Sequence, residues 1–377
     1  MGEKYYKRKV IKLLEKNNDS KGYIFDVDLE YPKHLWKLHN DYPLAPEPIT
    51  VDGVEKLISN FRPKKEYVVH YQSLKQYLKM GMKLTAVYRA LSFKQSPWMR
   101  SYIEKNTRLR MEAKNNFEKD FFKLMINSVF GKTIENLRKR QNVRIVDRRK
   151  KALNLSKKPN FERATIFDKN LVAVHMQKTE IYFNKPVYVG QAILDLSKTL
   201  MFDFHYNYIK PKYGSKAELL FTDTDSLMYE IKTKDFYKDI SADIEAKFDT
   251  SAYPPNHPSG IPVGINKKVI GMFKDEVEGK QITHFIGLRP KLYSFKVEDG
   301  KDKKKCKGVK KSVVEKEIKF EHYKECLFSG EKQMRSMKTF QSECHDIYSK
   351  EVNKIALSSN DNKRIVLEDK IHTLALR

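Results

Sequence analysis

Apolar and polar residues alternate strictly from Tyr23 to Tyr31, with Tyr23, Phe25, Val27, Leu29 and Tyr31 on one side and Asp26, Asp28 and Glu30 on the other. That period of two predicts a half-buried strand, which accounts for three acids on one face without invoking a metal. Upstream, residues 3 to 16 are basic with Val10, Leu13 and Leu14 as apolar positions, predicting a helix that the polar cluster Asn17 to Gly22 ends. Pro32, Pro43, Pro46 and Pro48 mark an extended, helix-poor connection. From Tyr67 the pattern reads strand, then helix (Ser73 to Met80, stopped by Gly81), then strand (Leu84 to Phe93), with Pro97 breaking the run.

A cap at Asn106-Thr107 opens a long predicted helix reaching about Asn136, and a second runs from Pro186 to Ile209 with Ile193, Leu196, Leu200 and Phe204 inward and Pro211 as its stop. Leu219 to Ile231 then places two apolar half-strands around Thr222-Asp223-Thr224-Asp225, a β-hairpin with acid at its tip. Residues 254–262 are a loop by composition, and Lys267 to Lys274 and His284 to Lys296 read as strands. Lys301 to Lys311 reads as a polybasic linker, and Glu315 to Leu376 as mostly helical. The chain shows no internal repeat and no Gly-rich phosphate loop.

Composition narrows the function. With 377 residues and 40% of them hydrophobic, the chain can bury a real core and divide into two or three subdomains. Lys and Arg total 74 against 48 acids, a net charge of +26, which points to a large anionic partner and first to nucleic acid. No apolar run is long enough to span a membrane, so no membrane partner is expected. Cys306, Cys326 and Cys344 lie far apart without metal-ligand spacing, as expected for an intracellular reducing compartment such as the nucleus, with no zinc site.

Three stretches carry candidate chemistry. Asp223 and Asp225, held close at a hairpin tip, repel unless a cation sits between them, and hard oxygen ligands favour Mg²⁺ or Mn²⁺. An ordinary soluble turn has the same residues, so the tip gains meaning only from its company. On the helix containing Lys123-Leu-Met-Ile-Asn-Ser-Val-Phe-Gly131, Lys123, Asn127 and Phe130 share one stripe while Phe122, Ile126 and Val129 form an apolar one. A core-facing amphipathic helix gives the same pattern; the functional version has Lys123, with Lys119 one turn earlier, neutralising a triphosphate while Phe130 packs under the nucleotide. In Arg289-Pro-Lys-Leu-Tyr293, Lys291 and Tyr293 share a strand face, a cation beside a ring able to follow a nucleic-acid strand, though edge lysines are common in any sheet. The basic run Arg138 to Lys158 is by default a solvated loop and adds to the phosphate-binding charge.

The order of these stretches resembles the palm and fingers of family B DNA polymerases, and Lys123 to Gly131 with Phe221-Thr-Asp-Thr-Asp-Ser226 look closest to the protein-primed branch. Asp28-Leu-Glu-Tyr-Pro32, His39-Asn-Asp-Tyr-Pro-Leu-Ala-Pro46, Asp195-Leu-Ser-Lys-Thr-Leu200 and Phe202 to Gly214 look like the polymerases of Polinton/Maverick transposons and adintovirus-like elements. The resemblance implies a mixed α/β (α+β) fold with a palm sheet, inserted helical fingers and a C-terminal thumb. It divides the chain into 1–66 (N-terminal basic helix and palm-associated strand and loop), 67–179 (fingers and basic insertion), 180–300 (palm with the acidic hairpin) and 301–377 (thumb).

The implied reaction is DNA-templated transfer of deoxynucleotides to a primer 3′-hydroxyl with two Mg²⁺ or Mn²⁺ ions. By resemblance Asp223 and Asp225 bind metal, Lys119, Lys123, Asn127 and Phe130 meet the incoming nucleotide, and Lys291 and Tyr293 meet DNA. The implied partners are primer-template DNA, deoxynucleoside triphosphates and, in the protein-primed branch, a terminal protein. Phe130 stands where many relatives have Tyr.

The family's further carboxylate, in an Asp-x-x-(Ser/Asn)-Leu-Tyr motif, is absent before Gly22, and Asp26 to Pro32 imitates that motif only superficially. The expectation is therefore the C-terminal part of a polymerase lacking its editing exonuclease, with a catalytically inactive DNA-binding remnant as the alternative. A reverse transcriptase is disfavoured because the hairpin reads Asp-Thr-Asp-Ser.

Overall fold

The structure is a computed structural model that describes residues 2–16, 20–343 and 346–377. Part of the polar cluster after the first helix (residues 17–19) and Cys344 lie outside the described residues.

The N-terminal module comprises α1 (Gly2–Glu15), β1 (Lys21–Glu30), β2 (Glu47–Val51), β3 (Val54–Ile58), β4 (Lys64–His70), α2 (Tyr71–Lys79) and β5 (Lys83–Lys94). Its main sheet has the order β4-β1-β5, antiparallel throughout. The alternation of β1 is realised: Phe25, Val27, Leu29 and Tyr31 are buried against Val10 and Leu14 of α1 and Leu74 and Tyr77 of α2. On the opposite face Asp28 is buried too, and accepts hydrogen bonds from Lys65 Nζ (2.7 Å), Glu66 N–H (2.9 Å) and the Tyr88 hydroxyl (3.0 Å). Burial alone would push its carboxyl up, and those bonds together leave it below the ordinary value.

Next come α3 (Arg100–Glu112), α4 (Asn116–Thr133), β6 (Asn142–Val146), α5 (Arg149–Ser156), β7 (Phe161–Asp168) and β8 (Leu171–Met176). The single helix expected to about Asn136 is thus two. Asn115 caps α4 by accepting from Glu118 N–H (2.8 Å), while the Glu118 carboxylate takes the Lys114 N–H (2.8 Å). The basic run expected as a loop also folds: β6, β8 and β7 form a sheet against α5 over Val146, Leu155, Val174 and Met176.

A continuous helical run follows: α6 (Val187–Asp203), a π-helical turn Phe204–Ile209, and α7 (Lys210–Tyr213). Pro211 does not stop it. Lacking an N–H, proline fits the first turn of α7, and the backbone widens ahead of it so that Lys210 N–H reaches the His205 carbonyl; Gly214, at φ 58°, makes the exit. The face expected to pack is also different. Phe204 is buried as expected, but Ile193, Leu196 and Leu200 are 42%, 44% and 41% exposed, and Gly190, Asp195 and Phe202 are buried instead. Asp195 explains the rotation: Oδ2 accepts the His70 N–H (3.0 Å), and its carbonyl takes the Ser73 hydroxyl (3.3 Å), fastening α6 to the start of α2. At Gly190 an added Cβ would overlap Thr133 and Ile134, so glycine is what lets α6 approach the end of α4.

Beyond it lie β9 (Ala217–Asp223), β10 (Ser226–Ile231), α8 (Phe236–Ile240), α9 (Ile244–Lys247), β11 (Phe248–Asp249) and β12 (Phe273–Lys274). The strand expected over Lys267 to Lys274 is reduced to the two residues of β12, the rest being turns. The last stretch holds β13 (Ile282–Arg289), β14 (Leu292–Val297), β15 (Asp302–Cys306), α10 (Lys311–Glu317), α11 (Phe320–Ser329), β16 (Gln333–Glu343), β17 (Asp346–Leu357), β18 (Arg364–Val366) and β19 (Thr373–Ala375). The expected strand over 284–296 is a hairpin, and the polybasic linker contributes its third strand. The predominantly helical ending is corrected most: after α10 and α11 the chain makes a long antiparallel β16–β17 ribbon. The alternation that encodes it (Met334, Ser336, Lys338 and Phe340 exposed; Arg335, Met337 and Thr339 half-buried) carries mostly polar side chains, which hides the period.

The chain then returns to its beginning. Asn40 donates through Nδ2 to the Thr373 carbonyl (3.0 Å) and accepts the Ala375 N–H at Oδ1 (3.0 Å), while Phe61 N–H bonds the Leu376 carbonyl (2.9 Å). Asn40→Ala removes both side-chain bonds and is expected to cost about 2 kcal/mol, lowering the thermal midpoint by a few degrees. Leu38→Ala, at an exposed neighbour, should change it by less than about 0.5 kcal/mol.

Two buried histidines predict a pH response. Burial, reinforced by nearby positive groups, pushes His39 and His205 down to about 4 from 6.5. Between these values the unfolded chain binds protons that the folded chain does not. This contribution to stability is therefore full above about pH 6.5 and is lost toward pH 4, by at most roughly 3 kcal/mol per histidine. Thermal melts should show a falling midpoint across that window and a shallower fall in His205→Gln; equal slopes for the two proteins would refute the assignment.

Candidate active site

The expected acidic hairpin forms as β9 paired with β10, closed by Thr224-Asp225. Asp223 ends β9 opposite Ser226, and Asp225 N–H folds back on the Asp223 carbonyl (2.6 Å). Thr224 takes a left-handed backbone, φ 56°, uncommon for a β-branched residue. The hairpin stands on a platform made by the π turn: Leu227, Tyr229 and Ile231 pack on Phe204, Tyr208, Ile209 and Tyr213, and the Tyr229 hydroxyl meets His205 Nδ1 at 2.9 Å.

The β13–β14 hairpin brings its turn to this tip. Lys291 Nζ lies 2.9 Å from Oδ1 and 3.1 Å from Oδ2 of Asp223. The Tyr293 ring lies 4.6 Å from that of Phe221, and Phe285 flanks both. Two elements singled out separately in the sequence are thus in contact, but Lys291 sits in the turn at φ 62° and not on the strand beside Tyr293. Phe221 was missed by sequence reasoning; its signal is the position two residues before Asp223, on the same strand face. With the lysine and aspartate side chains 51% and 32% exposed, the ion pair is solvent-screened and worth roughly 0–1 kcal/mol.

On α4 Lys123 and Asn127 are exposed and Phe122, Ile126 and Val129 half-buried, as the two stripes predict, but Phe130, expected beside Lys123 and Asn127, is half-buried like the apolar stripe. Lys119 is exposed as well, and among the described residues no hydrogen bond or ion pair joins Lys119, Lys123 or Asn127 to the acidic tip. Asp26 pairs with Arg89 (3.4 Å). Tyr31 commits its hydroxyl to His39 (2.7 Å) and the Leu44 N–H (3.2 Å) in the core. An open cleft of about 700 Å³ lies between Lys65–Val68, Ile134 and α6, away from Asp223.

Among the described residues no three His, Cys, Asp or Glu side chains cluster to hold a metal. Asp223 and Asp225 nevertheless suit a hard cation: both are carboxylates, and Asp223 already takes an ammonium on both oxygens.

The family model described as DNA polymerase type B, organellar and viral, matches residues 1–211. The chain belongs to that family. No curated protein matches it in sequence. Its fold is similar to that of phi29 DNA polymerase complexed with primer-template DNA and incoming nucleotides (TM-score 0.52, 14% identity) and to the binary complex with primer-template DNA (TM-score 0.51, 15% identity). Each alignment covers 91% of this chain and 52% of the phi29 chain, so the chain spans about half the length of that polymerase. The fold is thus the mixed α/β palm, fingers and thumb architecture.

The left-handed backbone at residue 224 predicts that Thr224→Asn raises the thermal midpoint, by about 1 kcal/mol of stability, because asparagine tolerates this region and threonine does not. Thr224→Val should give no gain; equal melts for all three proteins would show that the turn stores no strain.

Proposed function

We propose that this chain is the nucleotidyl-transfer portion of a DNA-directed DNA polymerase of the protein-primed branch. The observation that carries the reading is the contact of Lys291 and Tyr293 with Asp223 and Phe221, which joins a DNA-binding signature to an acidic turn at bonding distance. In the reaction a primer 3′-hydroxyl attacks the α-phosphate of a deoxynucleoside triphosphate, the new P–O bond forms as the bond to the β-phosphate breaks, and pyrophosphate leaves. Asp223 and Asp225 would hold Mg²⁺ or Mn²⁺, whose charge offsets that developing on the phosphate. A two-ion centre takes a further carboxylate than these.

Lys123 and Lys119 on α4 would neutralise the triphosphate while Asn127 and Phe130 orient the nucleotide. Lys291 and Tyr293 would track the primer-template. The same reading makes 67–179 the fingers with a basic insertion, 180–300 the palm and 301–377 the thumb. The β16–β17 ribbon, with Arg335, Lys338, Lys350 and Lys354 along it, extends the phosphate-binding surface. A terminal protein is the primer this branch of the family implies.

One observation favours a second reading. Because no three His, Cys, Asp or Glu side chains gather to hold a metal among the described residues, the chain could bind DNA without transferring nucleotides. Primer extension with Mg²⁺ decides. Extension that Asp225→Asn lowers on the order of 10²–10³-fold supports the polymerase. No extension by either protein, with DNA binding that survives the substitution and weakens steeply with salt, supports the binding remnant.

A further inference from the structure

Lys291 fills the place where an acidic turn would hold a cation. One ammonium contacts both oxygens of Asp223, at 2.9 and 3.1 Å, as a bidentate metal contact would. The base of this side chain is fixed: the left-handed backbone at φ 62° is tied down by Lys307 N–H on the Lys291 carbonyl (3.1 Å). Its four-carbon stem is not, since half of the side chain is exposed and a lysine is a point charge on a flexible tether. The neighbouring carboxylate of Asp225 accepts no hydrogen bond or ion pair among the described residues and is exposed.

We propose that Lys291 is the resident counter-ion of the acidic turn, neutralising Asp223 while no divalent cation is bound and moving to a DNA phosphate when the carboxylate is taken. This rests on the reading of Asp223 as a metal carboxylate. A divalent cation arriving at Asp223 repels the ammonium that rests on both of its oxygens, and a DNA phosphate draws that ammonium away, so the two binding events are linked through Lys291. Release of Lys291 from Asp223 frees it for DNA, and a phosphate on Lys291 opens Asp223 to the cation. Reciprocity then requires DNA to tighten cation binding by the same factor as the cation tightens DNA binding.

The test titrates Mn²⁺, followed by loss of the free-ion EPR signal, with and without a primer-template duplex, and measures duplex binding by anisotropy with and without Mn²⁺. In the unsubstituted protein each ligand should tighten the other by the same factor, about fivefold. Lys291→Met should bind Mn²⁺ about fivefold more tightly than the unsubstituted protein without DNA, and DNA should add nothing further. Lys291→Gln should behave alike, so that a folding defect in one variant does not decide the matter. Lys307→Met, which removes a neighbouring charge without touching Asp223, should bind Mn²⁺ as the unsubstituted protein does.

If Lys291→Met and Lys291→Gln bind Mn²⁺ no more tightly, or Lys307→Met tightens it equally, the counter-ion role is overturned. Asp223→Asn separates this from failure of the underlying reading. Uptake lost in Asp223→Asn but unchanged in the Lys291 variants sinks the linkage alone, whereas uptake indifferent to Asp223 sinks the metal assignment and the linkage with it.

Discussion

Seven residues, His39 to Ala45, fix parts of the chain that are far apart in sequence. The His39 ring holds the Tyr31 hydroxyl at the end of β1. Asn40 takes the C-terminal strand, and Asp41 pairs with Lys210 after the π turn at 3.0 Å. The Tyr42 ring lies 4.4 Å from Phe202 while its carbonyl accepts the Tyr206 hydroxyl at 2.6 Å. Leu44 and Ala45 are wholly buried, and Ala45 turns the chain through a left-handed backbone, φ 51°, a strained conformation that persists only because its neighbours over-determine it. Each contact is ordinary; their convergence on one segment makes the N-terminal module, the helical run and the C-terminus a single mechanical unit.

The acidic hairpin depends on that unit. A two-stranded sheet is marginal by itself, so β9 and β10 owe their place to the surface beneath them. That surface is the π turn, whose extra residue per turn presents Phe204, His205, Tyr208 and Ile209 to the buried side together. Asp195 and Gly190 hold the same helical run to α2 and α4, so one rod sets both the acidic tip and the helix with Lys123 and Asn127.

What the sequence disclosed and what it hid follow from how each element is stabilised. β1 was legible because every second side chain enters one apolar core, and the hairpin tip because turn residues separate two apolar half-strands. The inward face of α6 was misread because a buried carboxylate orients it, and hydrophobic periodicity is blind to a polar fastening. The break between α3 and α4 was written in Asn115-x-x-Glu118, a capping signature lying inside an otherwise continuous apolar pattern. The turn at Lys291 was signalled only by Pro290, which favours the position before the left-handed residue; neither glycine nor asparagine marks that residue itself.

Charge divides the molecule's capacities in a way that governs how it tolerates change. The excess of +26 is spread along the whole chain and is densest over the basic insertion, so the proposed affinity for a phosphate backbone would be a sum over many exposed cations and lose little with any one of them. The chemistry proposed for the acidic tip rests on a few groups, the two carboxylates foremost, where the loss of one is not averaged over many others. Under the proposed function such a chain would lose reactivity before DNA binding, because distributed attraction degrades gradually while a concentrated site fails at the first missing ligand.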